Sequence, residues 1–250
     1  MAFEKRHASA LVDGGCARLD LSRQERTGIP EVILTEGKRP DDCVAIVRHF
    51  VRERGRAILS RVPPALEAVL REEWEREGVQ VTWYPAARGM VIRRADFTAP
   101  AGGGRVGVLT AGTSDIPIAE EAVMLLREMG CEAHVAYDVG VAGLHRLFDP
   151  LRELIDQHDV DTLIVAAGMD GALPSVVAGL VDVPVVGLPT SVGYGLGGRG
   201  ESAILSMLQT CSPGLAVVNI DNGVGAAAMA GLIALRAARA RDAAARSQEA

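Results

Sequence analysis

The stretch from Gly168 to Gly195, GMDGALPSVVAGLVDVPVVGLPTSVGYG, constrains the fold of this chain more than any other. A short apolar run, Leu163 to Ala167, ends in Gly-Met-Asp-Gly; a helical segment follows; a second run, Val183 to Leu188, ends in Pro-Thr-Ser-Val-Gly-Tyr-Gly. Two successive strand ends therefore open into loops of Gly, Asp, Ser and Thr. In an open parallel sheet, loops at the carboxyl ends of strands line the ligand crevice. Their free backbone N–H groups and the helix N-termini beyond them suit an anionic ligand. A third such loop, Gly112-Thr113-Ser114-Asp115, follows the run Val106 to Thr110. Three loops of this kind point to an enzyme that binds something phosphorylated.

Around this motif, residues 104–250 alternate strand and helix five times. The strands are Val106–Thr110, Ala133–Tyr137, Leu163–Ala167, Val183–Leu188 and Leu215–Ile220. Apolar residues at Ile118, Ala122, Leu125, Leu126 and Met129 give a helical period, with Pro117 in the first turn, where its missing N–H costs little. Pro150–His158, Leu173–Val181 and Glu201–Gln209 supply further helices, and Val224–Ala245 a long Ala/Arg-rich one. The pattern predicts an α/β fold: a doubly wound, flavodoxin-like parallel sheet of about five strands. Ala99-Pro100-Ala101-Gly102-Gly103-Gly104 reads as a linker, because a Gly-rich run has no side chains to bury. It sets off residues 1–99, a charged, loop-like arm from Leu19 to Lys38 and then a small α/β unit. Within that unit Asp41–Glu53 and Ala65–Glu77 read as helices, Ala57–Ser60 and Val79–Tyr84 as strands. So small a unit is expected to pack on the main domain or on a neighbouring subunit.

Bulk properties exclude several classes. A net charge of −6 argues against a nucleic-acid binder. No uninterrupted apolar run approaches the roughly 18 residues of a membrane span, and the first residues lack the apolar core of a secretory leader. Cys16, Cys43, Cys131 and Cys211 form no CxxC pair, so neither a zinc site nor a disulfide framework is expected. Free thiols fit the reducing cytoplasm.

Several polar residues stand where chemistry is expected. Ser114 and Asp115 sit at a strand-to-helix handover and serve equally as helix caps or as ligand-binding groups. Cys211, in Gln209-Thr210-Cys211-Ser212-Pro213-Gly214, lies in a turn among small polar residues, where a thiolate can be exposed and nucleophilic; a buried inert thiol is the simpler alternative. Cys43 and Cys131 fall on apolar faces and read as core, and Cys16 lies in the arm. His145, in Gly143-Leu144-His145-Arg146, follows the second strand; Asp170 and Asn219-Ile220-Asp221-Asn222-Gly223 are strand-end polar residues, although Asn222-Gly223 alone is an ordinary turn signal.

Taken together, Gly112-Thr113-Ser114-Asp115, Gly143-Leu144-His145-Arg146, AAGMDGALPSVVAGL and PVVGLPTSVGYG resemble the aminoimidazole ribonucleotide carboxylase superfamily. More closely the chain resembles the LarB family, which makes the precursor of the nickel-pincer nucleotide. Arg26-Thr27-Gly28-Ile29-Pro30-Glu31-Val32-Ile33 with Gly37-Lys38, the Cys211 turn and Val218–Gly223 carry that closer likeness, which covers nearly the whole chain. The purine enzymes are shorter, lack the N-terminal unit and carry a His in the third loop, where this chain has Met169-Asp170-Gly171-Ala172.

The resemblance implies carboxylation of the pyridinium ring of nicotinic acid adenine dinucleotide at C5, with hydrolysis of the phosphoanhydride and release of AMP. It places the covalent nucleophile at Cys211, with Asp115, Asp170 and His145 as candidate general bases. It implies substrate contacts at Gly112, Thr113, Ser114, Gly168, Met169, Gly171, Thr190, Ser191, Gly193, Tyr194, Asn219, Asp221 and Asn222. Carbon dioxide or bicarbonate is the co-substrate. Mg²⁺ is expected for the phosphoanhydride step, with ligands unassigned. The superfamily's closed rings imply a homo-oligomer, an octamer, with active sites near subunit boundaries; the Ala-rich helix Val224–Ala245 offers a small-residue surface for such packing. The alternatives are an aminoimidazole ribonucleotide carboxylase or mutase, and a non-catalytic nucleotide-binding protein.

Overall fold

A computed structural model describes residues 9–12, 15, 17–75 and 78–248. Cys16 and the end of the helix expected at Ala65–Glu77 lie outside them. The chain forms two compact units, Met1–Ala99 and Pro100–Ala250.

The first unit holds a hairpin, β1 (Ser9–Leu11) with β2 (Arg18–Asp20), and a four-stranded sheet. The sheet runs in the order β3 (Ile33–Leu34), β4 (Arg56–Ser60), β6 (Gly89–Arg93), β5 (Gln80–Tyr84), with β3 parallel to β4 and the other pairs antiparallel. The segment expected to be a loop-like arm instead contains α1 (Arg23–Thr27) and β3. A two-residue strand and a five-residue helix are too short to leave a period in the sequence. Strand β6, absent from the expectation, is the buried centre of this sheet. Helix α2 (Pro40–Arg54) starts on a proline, with Asp41 and Asp42 in its first turn and Arg52 and Arg54 in its last, all complementing the helix dipole. Ile46, Val47 and Phe50 of α2 meet Leu66, Leu70 and Trp74 of α3 (Pro64–Glu75) and Leu59, Met90 and Ile92 of the sheet in a core of the unit's own.

The second unit is the doubly wound α/β domain expected from the alternation. Five parallel strands stand in the order β11 (Leu215–Val217), β10 (Val185–Pro189), β9 (Thr162–Ala167), β7 (Gly104–Thr110), β8 (Cys131–Ala136). Period-two alternation divides each strand between two layers. Leu109, Leu163, Val165, Ala167 and Val185 pack on the helices α5 (His145–Arg152), α6 (Ala172–Ala178) and α7 (Glu201–Leu208). The alternate residues, among them Val106, Val108, Ile164 and Val186, are buried as well, on the side of α4 (Ile116–Met129) and α8 (Gly223–Gln248).

Two expectations change here. Gly102 and Gly104 are set by close approach rather than by a need for slack. A Cβ on Gly104 would stand 2.8 Å from the Ala234 backbone of α8, and one on Gly102 would stand 2.2 Å from a Leu235 methyl. The small residues of α8 are likewise used inside the domain: Gly223, Ala226, Ala227, Ala230, Gly231, Ala234 and Ala238 are buried. Helix α8 is also long and apolar enough by composition to cross a bilayer, but its buried stripe is that of a core helix.

Helix α5 begins five residues before the expected Pro150, which sits inside it, and a π turn (Glu153–Gln157) follows. Proline cannot donate to the Arg146 carbonyl one turn back, so the regular ladder is already broken where the π turn begins.

Candidate active site

The sheet reverses its winding between β7 and β9, and ligands of such sheets bind at the carboxyl ends beside that switch point. A crevice of about 590 Å³ lies there, bounded by the loops after β7, β8, β9 and β10. Of the residues assigned to the site, Gly112, Thr113, Ser114, Asp115, Gly168, Met169 and Asp170 line it.

The crevice is shaped by backbone. A Cβ on Gly168 would lie 2.1 Å from the Val192 carbonyl oxygen and 2.8 Å from Thr190 Oγ1, so only glycine lets the third and fourth loops close together. The Met169 N–H donates to that same Val192 carbonyl at 2.7 Å, with Met169 at φ 50° and half-exposed over the opening.

Asp115 is the hub. It ends the 3₁₀ turn Thr113–Asp115 that leads into α4 and is only 3% exposed. Its Oδ2 accepts from the Gly112 N–H at 2.8 Å, its Oδ1 from the Thr190 hydroxyl at 2.6 Å, and the Gly168 N–H also faces it. Burial raises its pKa above the usual carboxylate value, Asp221 adds to the rise, and the three donors oppose it. The carboxylate thus ties three loops together, with Thr113 and Ser114 left exposed in the crevice.

Asp170 is exposed in the crevice; its Oδ1 meets the Ala172 N–H at 3.4 Å at the start of α6. His145 is exposed at the first residue of α5 and does not line the crevice, whereas its neighbour Arg146 does. Arg146 Nη1 donates to the Asp138 carbonyl at 2.6 Å and to Asp138 Oδ2 at 2.7 Å, with Asp138 at φ 58°. Arg146 and Asp138 were not expected in the site. The His-Arg dipeptide was the available signal, but which of the two residues faces inward depends on the start of α5.

The remaining assigned residues support the crevice from behind or beside it. Thr190 is fully buried. The Ser191 N–H donates to Asp221 Oδ1 at 2.8 Å, and Asn219 Oδ1 accepts from the Ile220 N–H. Asn222 Oδ1 accepts from the Gly225 N–H and caps α8. Gly171 takes φ 64° ahead of α6. Gly193 and Tyr194 are exposed on the fourth loop, Tyr194 at 83%.

Cys211 is exposed, whereas Cys43 and Cys131 are buried, and burial pushes the Cys131 thiol up to about 12. The Cys211 turn lies at the other end of the sheet. It precedes β11, and its Gly214 carbonyl accepts from the Val185 N–H at the start of β10. The six residues of β9 put about 20 Å between the two ends at roughly 3.3 Å per residue.

Among the described residues, no three His, Cys, Asp or Glu side chains are grouped to hold a metal. In the crevice Asp115 is committed to its three donors and Asp138 to Arg146, which leaves Asp170 as the exposed carboxylate there.

A doubly wound parallel domain with a crevice at its switch point defines an α/β class, and sequence comparison narrows it. Residues 105–249 match the AIR carboxylase family, and residues 11–94 match the LarB/PurE-like N-terminal domain. The chain therefore belongs to the LarB family within the AIR carboxylase superfamily. An uncharacterized protein of Methanocaldococcus jannaschii is 46% identical over 87% of this chain and 83% of its own length. The N5-carboxyaminoimidazole ribonucleotide mutase of the same organism is 36% identical over 49% of this chain and 74% of its own. The crystal structure of Treponema denticola PurE matches 58% of this chain and 92% of its own with 21% identity and a TM-score of 0.44.

Proposed function

We propose that this protein carboxylates the pyridinium ring of nicotinic acid adenine dinucleotide at C5 and hydrolyses its phosphoanhydride, releasing AMP and the 3,5-biscarboxylated mononucleotide. The observation that carries the reading is Cys211, exposed in a polar turn of a chain that also has the LarB-type N-terminal unit. A pyridinium ring is electron-poor, and its C5 does not attack carbon dioxide. Addition of the Cys211 thiolate to the ring gives a dihydropyridine whose enamine makes C5 nucleophilic. C5 then bonds to the carbon of carbon dioxide, a base takes the C5 proton, and expulsion of the thiolate restores aromaticity.

Asp170, exposed in the crevice, is the carboxylate best placed to take that proton, because Asp115 is already saturated with donors. Thr113 and Ser114, exposed in the crevice, offer hydroxyl donors for the new carboxylate. A divalent cation for the phosphoanhydride step would arrive on the pyrophosphate itself.

Cys211 and Asp170 belong to opposite ends of one sheet, so a substrate that meets both lies between two copies of the chain. This favours a homo-oligomer with each active site shared at a subunit boundary, and the superfamily resemblance makes it an octamer. Light scattering that finds a monomer at micromolar concentration overturns that assembly.

A second reading, carboxylation of aminoimidazole ribonucleotide or carboxyl migration within its N5-carboxy derivative, is favoured by the likeness of about half the chain to an N5-carboxyaminoimidazole ribonucleotide mutase. Incubation of the full chain with nicotinic acid adenine dinucleotide, bicarbonate and Mg²⁺, read by mass spectrometry, tests the proposal. AMP together with a product heavier than nicotinic acid mononucleotide by one carbon dioxide supports it. Robust conversion of aminoimidazole ribonucleotide with no product from the dinucleotide overturns it.

A further inference from the structure

Asp115 receives donors from three loops, and two of the three are backbone N–H groups, of Gly112 and Gly168. The third, the Thr190 hydroxyl, is the side-chain donor. Thr190 is fully buried and does not line the crevice, so it does not touch a ligand there.

Its backbone is fixed from both sides. The Thr190 N–H donates to the Ala167 carbonyl at the end of β9, which extends the sheet ladder by one rung. The next N–H, of Ser191, donates to Asp221, whose own N–H returns to the Pro189 carbonyl. Gly168 makes room for the hydroxyl, since any Cβ there would crowd Thr190 Oγ1. The hydroxyl is therefore held at a fixed point relative to β9, β10 and the loop after β11, and from that point it reaches Asp115 at 2.6 Å.

We propose that Thr190 is a positioning residue: its hydroxyl, by donating to Asp115, holds the Gly112–Asp115 turn in the shape that receives the ligand's phosphate. The inference rests on the reading of the crevice as the site of a phosphorylated substrate. Without the hydroxyl, Asp115 Oδ1 would be buried against a methyl group, and a buried acceptor left without its donor favours the protonated acid. A protonated Asp115 accepts less strongly from the Gly112 N–H, and the turn loosens. The other charged groups bearing on Asp115 are Asp221 from the loop after β11 and the crevice residues Asp138, Arg146 and Asp170. All of these remain in a Thr190 variant.

The test compares Thr190→Val, of the same shape without the donor, with Thr190→Ser, which keeps the donor. The Asp115 carboxyl is followed by ¹³C NMR in full-length chain labelled at Asp, its resonance assigned by its loss in Asp115→Asn. Thr190→Val should raise the pH at which that carboxyl titrates by about one unit, and Thr190→Ser should restore the wild-type value. Calorimetry with nicotinic acid adenine dinucleotide should show binding weakened about tenfold or more in Thr190→Val and near wild type in Thr190→Ser. A purely structural role for Thr190 would lower thermal stability without moving the titration.

An unmoved Asp115 titration in Thr190→Val, or equal weakening of binding in both variants, overturns the proposal. Should Thr190→Val fail to fold, Thr190→Cys, with its weak donor, carries the same comparison. A shifted titration in a chain whose wild type binds no dinucleotide overturns the substrate reading and leaves the hold of Thr190 on Asp115 supported.

Discussion

The two ends of the five-stranded sheet share the same strands but are built differently. At the carboxyl end the loops are glycine-rich and laced to one another through Asp115, Thr190, Ser191 and Asp221. Four of the five described non-glycine residues with positive φ in the second unit, Asp138, Met169, Arg199 and Asp221, lie in these loops. At the amino end the connections are short and fastened by ion pairs, Arg105 with Asp159 and Arg241 with Asp161. Residues held at costly backbone angles persist only where surrounding contacts over-determine them, and they gather where a site must be shaped. The carboxyl end carries that strain. The amino end carries an exposed thiol and little strain.

The largest effect that would sharpen this contrast is chemical and falls on the relaxed end. Cys211→Ala should lose carboxylation by about a thousandfold or more, because no other group can form the covalent intermediate. Its melting temperature and dinucleotide binding should stay near wild type, since the side chain is exposed. Cys211→Ser should fare little better, a hydroxyl being hardly ionised at neutral pH. A folded Cys211→Ala protein that carboxylates near the wild-type rate removes the thiolate from the mechanism.

Next in size is a stability effect at the strained end. Gly168→Ala drives a Cβ into the Val192 carbonyl and should cost about 3 kcal/mol, read from the denaturant midpoint. The matching change at the amino end, Gly102→Ala, meets the tip of the Leu235 side chain, which can turn aside, and should cost about 1 kcal/mol. Equal costs at the two positions would abolish the distinction between the ends.

The smallest expected effect lies at the sheet's edge. His134 on β8 stacks on His158, ring centroids 3.9 Å apart, and its pKa is lowered from 6.5 first by burial and then by that neighbour. The folded chain therefore binds fewer protons here than the unfolded one. The contribution is fully present above pH 6.5 and is lost as pH falls below it. Glu132, Glu153 and Arg105 stand around the pair and are unchanged in His134→Gln. That variant should lose less stability than wild type between pH 6.5 and 5, as measured by thermal melts. Parallel pH profiles for the two proteins would show that His134 does not carry this pH dependence.

Much of this was legible in the residues themselves. The apolar runs of the second unit read as strands because each is five or six residues long and is followed by Gly with Asp, Ser or Thr, then by a helical segment. The third loop announced itself because Gly-Met-Asp-Gly ends such a run. The N-terminal unit was harder to read: α1 and β3 are too short to repeat a hydrophobic period, and β6 is buried in a charged neighbourhood. The start of α5 was misplaced because Pro150 resembles a first-turn proline, although here it sits inside the helix.

The sequence by itself determined the alternation of strand and helix and the three polar loops at strand ends, because period, turn chemistry and helix-start residues are local properties. Only the tertiary structure decided which polar groups face the crevice. It turned Asp115 inward onto Thr190 and the Gly112 N–H, left Asp170 open, brought Arg146 rather than His145 to the crevice, and set Cys211 at the far end of the sheet. These outcomes depend on residues 75 positions apart and on strand order, and no local pattern records either.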